Sequence, residues 1–193
     1  LMEDFNEHTA RDLRNEVDRL ARDGIYGLVL DLRWNPGGLL KSAVDVADLF
    51  LDKDQLIVYT KGRAKNQNVE WIARTKDHYP ELDLVVLISK QSASASEIVA
   101  GALHDAERAA LIGTKSHGKG SVQTVENIGN GYGLKLTIAR YYTPSGRSIQ
   151  AKGIEPDIVV HPLTPEEAAA AELEDRHLSE KDLRNHLDAE DLE

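Results

Sequence analysis

The chain contains no cysteine. Disulfides, thiolate catalysis and cysteine-ligated metal centres are therefore excluded. Aromatic residues are scarce, at 5%, so a core has to be built mainly from aliphatic side chains and alanine. No run of 18 apolar residues occurs, and the chain accordingly offers no helical membrane span. Basic residues are in the minority, with 23 Lys and Arg against 33 Asp and Glu and a formal net charge of −10. That balance argues against nucleic acid as a partner, because phosphate contacts need clustered Lys and Arg. The seven histidines are scattered, with no paired metal-ligand spacing and no His-Glu-x-x-His motif. No metal or other cofactor is expected.

What remains is an ordinary globular composition, 41% hydrophobic over 193 residues. This length suggests one domain, or one domain with a tail. The charge is unevenly placed: from Pro165 to Glu193 acidic residues exceed basic ones by eight, leaving the rest nearly balanced. We expect a core domain over 1–162 and an acidic, helical extension over 163–193. Thr164-Pro165-Glu166-Glu167 would open that helix, with proline in its first turn. The chain starts at Leu1, within an expected strand, and shows no signal-peptide pattern. It has the look of a fragment or a processed form.

Periodicity organises the body. Leu13, Val17 and Leu20 recur at helical spacing, with Thr9 as the expected N-cap and Gly24 closing the segment. Residues 25–32 are an apolar run of the kind found in strands buried on both faces. A turn at Arg33 to Gly38 leads into a helix from Leu39 to Phe50. Further strands are expected at 56–59, 82–89, 109–113, 122–128, 134–142 and 157–160, and a helix over 94–107. Lys61 to Tyr79 reads as a surface loop or hairpin. The repeated order of strand, turn and helix, followed by more strands, indicates an α/β fold with a sheet that is at least partly parallel.

Two segments carry possible chemistry. In the first, the run Leu84-Val85-Val86-Leu87-Ile88 leads into Ser92-Ala93-Ser94-Ala95-Ser96-Glu97, so serines stand where a buried strand hands over to a helix. The N–H groups at a helix start are unpaired and can stabilise an oxyanion. In the second, Lys119 lies between Gly118 and Gly120, 25 residues after Ser94, and Gln123 follows four residues later. A lysine can activate a serine if burial lowers its pKa towards about 7–8. Gln123 would then orient it by accepting a hydrogen bond. Asn35-Pro36-Gly37-Gly38 has the same strand-to-helix setting as the serine run, so both loops could face one site. Glu97 reads as a first-turn acid complementing the helix dipole, and Asp105 as the partner of Arg108 across a turn. Neither is assigned to catalysis. Residues alone leave Ser92, Ser94 and Ser96 as alternative nucleophiles.

These residues, Leu28 to Arg33, Asn35 to Gly38, Ser92 to Gly101, Gly118 to Gln123 and Ala139 to Pro156, resemble the carboxy-terminal processing proteases, S41-type Ser-Lys endopeptidases of bacteria and chloroplasts. The resemblance runs from about Leu1 to about Val160. It implies a clp-protease/crotonase-like spiral core with a mostly parallel sheet. It further implies Ser94 as nucleophile, Lys119 as general base and Gln123 as the residue orienting the lysine. The oxyanion would be held by the N–H of Ala95 and that of either Gly37 or Gly38. Trp34 departs from the family, where a polar residue is usual. The resemblance also implies polypeptide substrates cut near their C-termini, a PDZ domain just upstream in the full-length protein, possible homo-oligomers and an extracytoplasmic location in the bacterial periplasm or envelope. The alternative is a protease-like fold that binds peptides or apolar ligands without cutting them.

Overall fold

The computed structural model describes residues 1–161. The helix expected from Thr164 and the rest of the acidic extension lie outside the described residues. Among the described residues three helices and eight strands follow in the order α1 (Thr9–Arg22), β1 (Gly27–Asp31), α2 (Leu40–Ala47), β2 (Leu56–Gly62), β3 (Glu70–Ile72), β4 (Asp83–Ile88), α3 (Ala95–Asp105), β5 (Ala110–Gly113), β6 (Ser121–Gly129), β7 (Tyr132–Tyr142) and β8 (Ile158–Val159), with a 3-10 turn at Lys65–Gln67.

The strands form two sheets. The parallel one has the order β1-β4-β5-β8, and the other, β3-β2-β7-β6, is antiparallel. In the parallel sheet Leu30 lies beside Val86 and Val86 beside Leu111, and all three are buried. β1 differs from its expected burial on both faces. It is an edge strand, so Val29 is 59% exposed while Leu30 is buried. The segment from Lys61 to Tyr79 contributes β3, which pairs antiparallel with β2 as a hairpin.

α2 packs on α3, α1 on α2, and α3 against β2. The core they enclose is aliphatic and alanine-rich, with Ala43, Val46, Ala47, Val99, Ala100, Ala102 and Leu103 fully buried and Phe50 the main aromatic contribution. Small side chains let α2 and α3 approach closely, which suits a chain so poor in aromatics. The first helix starts at Thr9 itself, one residue earlier than an N-cap at Thr9 would set it. His8 is the N-cap, and Thr9 instead accepts a hydrogen bond from Asn6 N–H through its hydroxyl at 2.9 Å. Leu1 to Phe5 is not a strand of either sheet; Phe5 makes an isolated parallel bridge to Gly38. Among the described residues no helix is long and apolar enough to cross a membrane.

Candidate active site

Three neighbouring parallel strands deliver three loops to one edge of the sheet. β1 ends in the Asn35–Gly38 turn, β4 in the serine run, and β5 in the loop that carries Lys119. Open α/β sheets bind ligands at this carboxyl edge. The loops are also stitched together. Asn35 is fully buried, and its carbonyl accepts from Ala93 N–H at 3.1 Å and from the Ser96 hydroxyl at 2.9 Å. Its Nδ2 donates to Met2 O at 3.0 Å.

The three serines have different fates. Ser92 is fully buried, donates to Leu32 O at 2.8 Å and accepts from Ser89 N–H at 2.9 Å. The Ser96 hydroxyl is likewise buried and spent on Asn35. Ser94 is half-buried, and its hydroxyl makes no hydrogen bond among the described residues. Ser94 caps α3 with φ of 53° and ψ of −109°, a backbone conformation that costs a non-glycine residue roughly 1–3 kcal/mol. Its carbonyl accepts from Glu97 and Ile98 N–H, both at 3.0 Å, and its N–H donates to Glu97 Oε2 at 2.8 Å. The N–H and carbonyl of Ser94 are thus both engaged while its hydroxyl is left available.

Beside Ser94, Gly37 adopts φ of 101° and is pressed against the serine turn. A Cβ there would stand 2.6 Å from Ala93 O and 2.9 Å from Ser94 Cβ. Gly37 N–H is committed to Asn35 Oδ1 at 2.9 Å. Gly38 is exposed, and its N–H makes no hydrogen bond among the described residues. Phe5 braces the pair from behind, donating to Gly37 O at 3.0 Å and accepting from Leu39 N–H at 2.7 Å. Ala95 N–H, at the first helical position, where no carbonyl within the helix can accept it, also makes no hydrogen bond among the described residues.

The lysine loop is held by its backbone. Lys119 N–H donates to Glu97 Oε2 at 2.9 Å, Gly120 N–H to the buried Gln150 Oε1 at 3.0 Å, and Ala151 N–H to Gly118 O at 2.8 Å. Because Ser94 and Lys119 donate to one oxygen of Glu97, their nitrogens lie within about 6 Å of each other. Lys119 is half-buried, and its ammonium has no hydrogen bond or ion pair among the described residues. Gln123 is brought onto β6 next to a register shift between Val122 and Gln123. Its side chain is exposed and makes no hydrogen bond to Lys119.

Two sequence assignments are corrected here. Glu97 does stand in the first turn of α3, but its role is larger than complementing the helix dipole. It is completely buried and accepts four hydrogen bonds, from Ser116 Oγ, Gly118 N–H, Ser94 N–H and Lys119 N–H. Burial pushes its carboxyl up to about 7, against the pull of those four donors. Asp105 does not pair with Arg108, because α3 stops at Asp105 and Arg108 turns away to Asp77 and Tyr79 O. Asp105 instead anchors the Thr143–Arg147 turn through Ser145 N–H at 2.9 Å and Arg147 at 2.5 Å. Burial opposes its charge, but Thr143, Ser145 and Arg147 together hold its carboxyl down at about 2.

The comparisons agree with this arrangement. Residues 1–160 match peptidase family S41. The chain is 48% identical over 187 residues to a carboxy-terminal-processing protease of Bartonella bacilliformis, covering 95% of this chain and 42% of that protein. It is 40% identical over 154 residues to the carboxy-terminal processing protease CtpA of Bacillus subtilis, covering 80% of this chain and 33% of the other. Among solved structures, a photosystem II D1 C-terminal processing protease superposes with a TM-score of 0.74 at 33% identity, over 88% of this chain and 44% of that one. The chain thus spans less than half the length of these relatives. With its mixed α/β fold, its parallel sheet and its sequence match over most of its length, the chain belongs to peptidase family S41.

Proposed function

We propose that this chain is the catalytic core of a serine endopeptidase that uses a Ser94–Lys119 dyad on extended or unfolded polypeptides, cutting near their C-termini. The observation that carries the proposal is the fate of the serines: Ser94 alone of the three keeps an uncommitted hydroxyl, on a strained helix cap beside the lysine loop. Ser94 Oγ attacks the scissile carbonyl, and neutral Lys119 takes the hydroxyl proton. The tetrahedral intermediate collapses, Lys119 delivers the proton to the departing amine, and an ester to Ser94 remains. Water, deprotonated by Lys119, then hydrolyses that acyl-enzyme.

The oxyanion develops beside the N–H of Ala95 and the N–H of Gly38. Gly38 is preferred to Gly37 because Gly37 N–H already serves Asn35. Gln123 orients Lys119 by closing onto its ammonium, a movement along β6 that substrate binding would favour. We further propose an organisation with the core at 1–162 and an acidic extension at 163–193. An upstream PDZ domain would present substrate C-termini by strand addition, in an extracytoplasmic setting. The test is cleavage of unfolded casein at pH 8, with intact-mass labelling by a fluorophosphonate, for the chain and its Ser94→Ala and Lys119→Ala variants. Cutting and labelling by the parent and neither by the variants is the expected result. Labelling that persists in Ser94→Ala would overturn the assignment.

A further inference from the structure

Glu97 takes no part in the proposed reaction, yet the two segments that would carry it out meet on its carboxylate. Oε2 accepts from Ser94 N–H at 2.8 Å and from Lys119 N–H at 2.9 Å. Oε1 accepts from Ser116 Oγ at 2.5 Å and from Gly118 N–H at 2.7 Å. Ser116 Oγ is fixed in turn by Ile154 N–H at 2.7 Å. Four donors fill the four lone-pair positions of a carboxylate. Only an acid of this reach, with two acceptor oxygens, can do this. A glutamine would turn its N–H₂ group towards an N–H donor whichever way the amide faced, towards Ser94 and Lys119 in one orientation and Gly118 in the other.

The arrangement is dearer than a helix cap requires. An acid favouring the helix dipole works at the surface, whereas Glu97 is fully buried with no cation against it. Its partners are one hydroxyl and three backbone N–H groups, and Lys119, the ionisable residue among them, contributes only its backbone. Burial without a counter-ion is tolerated where geometry is the return.

We infer that Glu97 is a positioning residue, holding the backbone at Ser94 and at Lys119 from a single oxygen so that nucleophile and base stand at a fixed separation. The inference rests on the Ser94–Lys119 reading above. Glu97→Gln leaves at least one N–H group facing a donor and loosens the hold on the two segments. Saturation kinetics of fluorophosphonate labelling should then show the maximal labelling rate falling at least tenfold, with the half-saturating concentration changed less than twofold. A purely structural acid would alter both, or neither.

A second measurement needs no variant. Across a pH titration followed by ¹⁵N–¹H spectra of the whole chain, the amide signals of Ser94, Gly118 and Lys119 should move together with one midpoint. Separate midpoints, or no transition, would overturn the link, even if Glu97→Gln fails to fold. If Lys119→Ala labels as fast as the parent, the dyad reading fails. The shared amide transition still decides whether Glu97 joins the segments.

Discussion

At the scale of single residues, what separates the three serines is where their hydroxyls are spent. Ser92→Ala and Ser96→Ala each strip one partner from a buried hydrogen bond. Each should lower stability by about 1–3 kcal/mol in chemical denaturation while labelling at Ser94 persists. Ser94→Ala should show the opposite, with stability kept and labelling abolished. Gly37→Ala would have to place a methyl 2.6 Å from Ala93 O at a φ of 101°, so it should cost at least 1–2 kcal/mol, roughly, and slow labelling by displacing the serine turn. Glu97 gives a pH prediction whose sign runs against the usual carboxylate. Its folded value of about 7 lies above the ordinary glutamate value of 4.5, so the folded state binds the extra proton. Its contribution to stability is complete below about pH 4.5 and is lost as pH rises through about 7, a span of about 3 kcal/mol. Denaturant midpoints of the parent should therefore decline across that window relative to Glu97→Gln, and equal slopes for the two proteins would refute it.

At the scale of elements, the site depends on pieces that never touch a substrate. The Met2–Phe5 segment bridges β1 and the Gly37–Gly38 turn, and Phe5 is 2% exposed. Phe5→Ala should cost about 3–5 kcal/mol, measured by thermal unfolding, and should reduce labelling along with stability. The Thr143–Arg147 turn is tied to the end of α3 by Asp105, whose carboxyl is held at about 2. Because that folded value lies below the ordinary one, its contribution is present above about pH 4 and is lost as pH falls through about 2. The long β6–β7 hairpin carries Val125, Ile128 and Tyr132 at more than 60% exposure. Much of this hairpin stands clear of the core that the helices pack.

At the scale of the whole molecule, one sheet edge gathers the turn after β1, the serine after β4 and the lysine after β5. Parallel neighbours make this possible, since adjacent parallel strands end on the same side. The antiparallel sheet contributes differently: β7 runs on into the Tyr141–Ala151 stretch, which braces the lysine loop through Gln150 and Ala151. Every residue of the proposed site lies within 1–161. A chain ending at His161 should accordingly label within twofold of the parent by intact mass, and loss of labelling would place part of the site in the remaining segment.

The sequence by itself determined much of this protein. Periodicity located seven of the eight strands within a few residues, β3 lying inside the segment read as a surface loop or hairpin, and a strand-to-helix setting marked both candidate loops, because strands and helices are encoded by local apolar spacing. It also marked serine, lysine and glutamine as the chemistry-bearing set, since those side chains and their order are written locally. What only the tertiary structure decided is which groups are already spent. Ser92 and Ser96 lose their hydroxyls to Leu32 and Asn35, residues some 60 positions away. Gly37 loses its N–H to Asn35, leaving Gly38 as the open donor. Glu97 reads as a helix-cap acid along the chain and becomes the junction of the site in space. Hydrogen-bond saturation and burial depend on what the rest of the fold brings alongside a residue, and no local spacing encodes that.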